Sequence, residues 1–264
     1  MSNTAESVDL ATDSHPVLTG VEAPFLDYWL NNVVDLRDPH LHRWIDYEES
    51  AVSRATERVA AMQRYKELDG AVALDIGCQN GAKLVALGLA GATPLGIDVE
   101  AEAVQAVSAR LKCYDVEATA TVGDACNLDF PDESIDLVCS SDVYEHVHDK
   151  GAMLDETMRV LRPGGLLVIG APQRFSVKHF VSDPHYNHPL LSVLPANAAS
   201  LLNRRLFGEA VYEVETLPTR AKTKRELVAR GLELQEDPTS ASNGLVSNLV
   251  DELRQGFVLY GIKR

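Results

Sequence analysis

The sequence predicts an α/β fold: a doubly wound, mostly parallel sheet with helices on both faces. Three observations predict it. Beyond residue 70, short apolar runs alternate with helical patterns, the signature of parallel strands joined by crossover helices. The first of these runs passes into a glycine-bearing turn, Asp75-Ile76-Gly77-Cys78-Gln79-Asn80-Gly81, which opens the next helical pattern. The next two runs end in Asp98 and Asp124, which sets carboxylates along one edge of the sheet. A chain of 264 residues, 45% of them apolar, suits one such domain with an extra element.

Residues 1–20 are rich in Ser, Thr, Asp and Glu and read as a flexible tail. Residues 21–69 read as an N-terminal helical cap, opening with the aromatic segment Phe25 to Leu30. From His42 to Lys66 the residues Trp44, Tyr47, Ala51, Ala55, Val59 and Met62 recur every three or four positions, which predicts one long amphipathic helix ended by Asp69-Gly70.

The core is expected over 70–264. Val72 to Leu74 is the first strand, and Gly81 to Leu89 the helix after it. Leu95 to Ile97 is the second strand, followed by a helix bearing Val104, Val107 and Leu111. Ala118 to Val122 and Ile135 to Cys139 are the third and fourth strands. Asp149 can cap a helix carrying Met153, Leu154, Met158 and Leu161. Pro163-Gly164-Gly165 stops that helix and turns the chain into a fifth strand, Leu166 to Ile169. A helix around Lys224 to Arg230, an extended run from Leu232 and a strand at Phe257 to Ile262 complete the pattern. The stretch 172–217 is too long for an ordinary connection and reads as an insertion. It includes an apolar helical segment near Leu190 to Leu206. Such insertions at a ligand edge serve as lids or substrate-binding elements.

The formal net charge is -15. No basic stripe is present to neutralise a phosphate backbone, which argues against nucleic acid as a partner. Cys78, Cys113, Cys126 and Cys139 form no Cys-x-x-Cys pair and have no His at zinc-finger spacing, so no structural zinc is expected. The stretch Met1 to Pro16 has no signal-peptide pattern, and no apolar run is long enough for stable membrane insertion. A cytoplasmic protein with reduced thiols is expected. The oligomeric state leaves no mark in the sequence.

Glycines at the Asp75–Gly81 turn allow a ligand to approach the backbone closely. A glycine-bearing turn alone is shared by nicotinamide, flavin and methyl-donor proteins, and also by turns that bind nothing. Asp98 lies 21 positions after Gly77. A carboxylate there can accept from both hydroxyls of an adenosine ribose, whatever the rest of the ligand. In Gly123-Asp124-Ala125, Asp124 can accept from an adenine amino group, or can serve as a turn residue.

Taken together these motifs resemble the class I S-adenosylmethionine-dependent methyltransferases over about residues 70 to 170. Leu74 to Cys78 with Gly81 is similar to their first motif, and Gly96-Ile97-Asp98 to their ribose-binding acid. Gly123-Asp124-Ala125, with Leu128 and Phe130, is similar to the adenine-side motif. Asp136-Leu137-Val138 leading to Glu145-His146-Val147 resembles the fourth-strand region, and Leu161 to Gly165 the turn before the fifth strand. The resemblance implies a Rossmann-like seven-stranded sheet with an antiparallel last strand, and a lid inserted after the fifth strand. It implies S-adenosylmethionine as methyl donor and S-adenosylhomocysteine as product, contacted by Asp75, Gly77, Cys78, Gln79, Gly81, Asp98, Val99, Asp124, Ala125 and Ser141. Gln79 departs from the family, which usually has glycine there; its side chain should narrow the methionine end of the pocket or hydrogen-bond to it. The Gly-x-Gly-x-x-Gly of nicotinamide enzymes is absent, since Cys78, Gln79 and Asn80 separate Gly77 from Gly81. Ser140-Ser141-Asp142 also differs from the Asn/Asp-Pro-Pro-Tyr of DNA-base methyltransferases.

Asp142, Glu145, His146 and His148 follow the fourth strand. On a helix the first three would share one face. His146 could then deprotonate a hydroxyl acceptor, the three could hold a divalent cation, or Glu145 and His146 could simply shape the loop. In the insertion, His179, His185, Tyr186 and His188 suggest either metal ligands or a substrate lid with His185 or His188 near the acceptor. The acceptor expected is a hydroxyl of a small molecule or glycan. A non-catalytic module that binds S-adenosylmethionine is the reading from outside enzymology, and a nicotinamide oxidoreductase the one from within.

Overall fold

The computed structural model describes residues 20–37, 41–176, 191, 194–207, 217–235 and 256–264. The predicted sheet forms. Its strands are β1 (Val72–Ile76), β2 (Thr93–Asp98), β3 (Thr119–Val122), β4 (Ile135–Ser141), β5 (Leu161–Pro172), β6 (Leu232–Gln235) and β7 (Gly256–Lys263). Their order is β3-β2-β1-β4-β5-β7-β6. The first five pair in parallel, and β7 runs antiparallel to both β5 and β6. At its far end, Lys263 Nζ donates to the Met158 and Leu161 carbonyls at 2.9 and 2.7 Å.

The period of two along the central strands builds the two cores. Leu74, Val138, Leu167 and Ile169 face one side, against α6 (Lys150–Val160) and α8 (Arg220–Ala229). Ala73, Leu137, Cys139, Leu166 and Val168 face the other, against α3 (Ala51–Met62) and α4 (Ala82–Leu89). Beside α4 lies α5 (Ala101–Tyr114), and α1 (Ala23–Asn32) packs on α5 through Phe25, Leu26, Trp29 and Leu30. The Asp149 cap forms as expected: its Oδ1 accepts from the Ala152 N–H at 2.9 Å.

Three expectations need correction. The long helix from His42 to Lys66 is two helices, α2 (Leu41–Glu49) and α3, broken at Ser50. The Ser50 hydroxyl at the break lies 2.9 and 3.2 Å from the Asp46 and Tyr47 carbonyls and bonds the last turn of α2. Trp44 and Tyr47, counted in the apolar period of that helix, are about half exposed. The third concerns β5, which starts at Leu161, directly after α6. Ile135 pairs with Leu161 and Leu137 with Leu166, so Arg162 to Gly165 bulge out of the strand, with Gly164 at φ 75°.

After β5 the described part of the insertion holds α7 (Ala196–Leu202) and a π-helical turn, Asn203–Phe207. His179, His185, Tyr186 and His188 lie outside the described residues. No helix among the described residues is long and apolar enough to cross a membrane.

Candidate functional site

The turn after β1 is held by backbone bonds. The Gly77 and Cys78 N–H groups both donate to the Ile97 carbonyl in β2, at 2.8 and 3.0 Å. A Cβ on Gly77 would lie 2.1 Å from Val143 Cγ2, and its φ is 75°, so both sterics and conformation call for glycine. Gln79 takes a left-handed φ of 44° with a full side chain, at a cost of about 1–2 kcal/mol.

Asp98, the last residue of β2, is buried, and both its oxygens are engaged. Oδ2 accepts from the Gln79 N–H at 2.8 Å and Oδ1 from the Glu100 N–H at 3.0 Å. Each carboxylate oxygen has a second lone pair, so Asp98 shapes the turn and can still receive a ligand donor. The next residue, Val99, is 71% exposed. The Gly123 N–H donates to the Asp98 carbonyl at 2.9 Å, which brings the end of β3 beside that of β2. Asp124 Oδ1 accepts from the Cys126 N–H at 2.8 Å, the turn role weighed for it from sequence, and Ala125 is buried.

Asp75 is buried in β1 and paired with Lys83 of α4 at 2.6 Å. Burial pushes its carboxyl up, and the Lys83 ammonium pulls it back. The Cys139 thiol donates to the same carboxylate oxygen at 3.5 Å. Burial drives the thiols of Cys78 and Cys139 well above their ordinary range. A cavity opens beside this cluster. Its floor includes Asp75, Gly77, Cys78 and Gln79, and Ser141 and Asp142 from the end of β4 line it as well. Tyr47, Arg54 and Arg58 of α2 and α3 form its other wall. Arg58 and Asp142 stand 4.0 Å apart and are both exposed, so their attraction is weak.

Past β4 the chain departs from expectation. Asp142 has φ 57° and donates its N–H to the Gly170 carbonyl at 3.0 Å, and the His146 N–H bonds the Val143 carbonyl at 2.9 Å. The segment is a turn, so the helical face expected for Asp142, Glu145 and His146 does not form. The Asp142 and His146 side chains are exposed, as is His148, whereas Glu145 is fully buried. Neither Glu145 oxygen has a hydrogen-bond partner, and His146 Nε2 lies 3.9 Å from Oε1. Burial, with some help from the Asp142 charge, lifts the Glu145 carboxyl to about 8. Among the described residues no three His, Cys, Asp or Glu side chains are grouped to hold a metal ion.

Sequence reasoning missed Lys83, Arg54, Arg58 and a buried charge on α5. One signal was available for the last. Ala103, Ala106, Val107 and Leu111 make the buried stripe of α5, and Arg110 stands within that stripe. A charge on the apolar face of a helix is an anomaly that asks for a partner.

Residues 74–169 match the family model described as a methyltransferase domain. The chain is 33% identical over 125 residues to the 27-O-demethylrifamycin SV methyltransferase of Amycolatopsis mediterranei, covering 46% of this chain and 45% of that one. It is 35% identical over 116 residues to the 2-methyl-6-phytyl-1,4-hydroquinone methyltransferase of Synechocystis, covering 42% and 36%. The chain thus spans less than half the length of these two curated relatives. Among solved structures, the magnesium protoporphyrin IX methyltransferase of Synechocystis with bound S-adenosylhomocysteine superposes with a TM-score of 0.57 at 16% identity, covering 90% of this chain and 94% of that one. That likeness is one of fold.

Proposed function

We propose that this chain, whose residues 74–169 match a methyltransferase-domain family model, is a class I S-adenosylmethionine-dependent methyltransferase that transfers a methyl group to a hydroxyl oxygen of a small molecule or glycan. The observation that carries the reading is Asp98 at the end of β2, beside a turn that needs glycine at Gly77. The residues present fit the donor. Asp98 has lone pairs for ribose hydroxyls, and Val99 offers an exposed apolar side chain next to it. Asp124 stands on the adenine side, and the cavity beside Gly77, Gln79 and Ser141 receives the methionine portion.

When bound, S-adenosylmethionine supplies a methyl group on a positively charged sulfur, already an activated leaving group. The protein's own residues therefore act chiefly by positioning and by excluding water. His146, exposed past the end of β4, takes the acceptor's hydroxyl proton. Glu145 beside it remains mostly protonated near neutral pH and gains its charge as the pH passes about 8. The net charge of -15 favours an uncharged or cationic acceptor over nucleic acid. The relative named for 27-O-demethylrifamycin SV supports oxygen as the atom methylated.

Calorimetric titration with S-adenosylmethionine, S-adenosylhomocysteine and NAD in parallel tests the cofactor. Binding of the first two alone is expected; binding of NAD alone would overturn the reading. A screen of hydroxylated acceptors, sugars first, tests turnover, and absence of any product would favour a non-catalytic binding module. With an acceptor in hand, His146→Ala should slow turnover by roughly 10²–10⁴-fold and leave S-adenosylhomocysteine affinity nearly unchanged. Turnover equal to wild type would place the base elsewhere.

A further inference from the structure

Glu22, Glu48, Asn80 and Arg110 come from four separate parts of the chain and meet in one buried cluster, and the last three also line the cavity beside the turn. Arg110 is 1% exposed and lies 3.6 Å over the Phe25 ring of α1. Its Nη2 donates to Glu48 Oε2 at 2.6 Å, and its Nε is 2.9 Å from Glu22 Oε1. Glu48 Oε1 accepts from Asn80 Nδ2 at 3.2 Å, and the Asn80 carbonyl accepts from Arg110 Nη1 at 3.4 Å. An ionised carboxylate only accepts, so Glu48 fixes which end of the Asn80 amide faces it. That leaves Asn80 Oδ1 buried without a hydrogen-bond partner.

Such a cluster adds little stability over apolar packing of the same volume. Desolvating two acids and a guanidinium offsets most of their attraction. Burial indeed pushes the Glu22 carboxyl up against the pull of Arg110. What distinguishes the cluster is what it joins. It ties α1 through Glu22 and α2 through Glu48 to Asn80, which sits between Gln79 and Gly81 in the ligand turn. The same α2 supplies Tyr47 to the cavity wall.

We propose that Glu48, held by Arg110, is a positioning residue for the Gly77–Gly81 turn, so that seating of the N-terminal helices and formation of the ligand turn are one coupled event. The proposal rests on the methyl-transfer reading only for the identity of the ligand. Linkage then requires that a ligand on the turn also tighten α1 and α2.

Hydrogen exchange on the full chain tests this, with and without S-adenosylhomocysteine. Asn80→Ala removes the bond from the residue 80 side chain to Glu48 and leaves in place both Arg110 ion pairs and the Arg110 bond to the residue 80 carbonyl. In the ligand-free variant the Gln79 and Gly81 amides, bonded in the wild type to Asp98 and to the Cys78 carbonyl, should exchange about tenfold faster while β4 stays unchanged. Glu48→Gln keeps a carbonyl oxygen for Asn80 and should show a smaller increase. In the wild type the ligand should slow exchange across α1 and α2 about tenfold, and Asn80→Ala should reduce that protection at α2, where Glu48 has lost its bond to the turn. Turn amides unchanged in both variants, even with a lowered Tm, would reduce the cluster to a structural role and overturn the proposal. Failure of the wild type to bind S-adenosylhomocysteine would sink the methyl-transfer reading; faster turn exchange in ligand-free Asn80→Ala would support the positioning role all the same.

Discussion

The β1–β2 side of the ligand edge and the β4 side bury their acids in opposite ways. On the first, each buried carboxylate is committed: Asp75 to Lys83, and Asp98 to two backbone amides. On the second, Glu145 is as deeply buried as Asp75, yet neither of its oxygens has a hydrogen-bond partner. Glu145 holds its proton because the loss of water on burial outweighs what its own backbone N–H and the Lys150 charge return to the carboxylate. One side is thus a rigid frame whose charges set shape. The other keeps a titratable group in reserve beside an exposed imidazole.

The contrast can be broken at several points. The largest effect is expected for Lys83→Met, which leaves Asp75 buried without its counter-ion and should cost about 3–5 kcal/mol in chemical denaturation. A loss under ~1 kcal/mol would mean that the first side is not held by its ion pair. Next comes the pH dependence of Glu145. Its folded-state value of about 8 exceeds the ordinary 4.5, so the folded protein holds an extra proton between these values. Stability from this group is therefore full below about pH 4.5 and falls by about 1.4 kcal/mol per pH unit from there until the pH passes 8. Glu145→Gln should flatten that slope in melts taken from pH 5 to 9, and an unchanged slope would assign it to other groups. Asp98→Ala should weaken S-adenosylhomocysteine binding by roughly 1–3 kcal/mol, and unchanged affinity in calorimetry would remove the ribose assignment. The smallest effect is at Gln79. Gln79→Gly relieves the left-handed strain against glycine's entropic cost and should stabilise the protein by about 0.5–1 kcal/mol; a loss would show that the side chain makes a favourable contact.

The sheet was legible in the sequence because its signals are local. Apolar runs, the glycines of the β1 turn and the acids at strand ends each announce themselves within a few residues. What was illegible depends on partners distant in the chain. The break at Ser50 lies inside an unbroken apolar period, so the pattern carries no sign of it. Asp142, Glu145 and His146 have helical spacing, but the bond from the Asp142 N–H to Gly170 holds the first of them in a left-handed turn. Lys83 is read as an ordinary helix residue until Asp75 is brought against it, and the place of Arg110 on the apolar stripe of α5 calls for a partner without saying that it is Glu48. The fit between motif and frame was therefore readable, and the division of the acids between shape and chemistry was not.

The cysteines beneath the ligand turn give that frame a reporter of its own. Cys78 and Cys139 are buried and hold their protons tightly, whereas Cys113 and Cys126 are partly exposed. A thiol reagent added to the native protein should find the latter pair first. It reaches Cys78, in the turn and on the cavity floor, as the turn moves, and Cys139 only when the core between β4, α3 and α4 opens. The modification rate of Cys78 against that of Cys139 is a built-in clock for motion of the ligand turn, and a bound ligand should slow it.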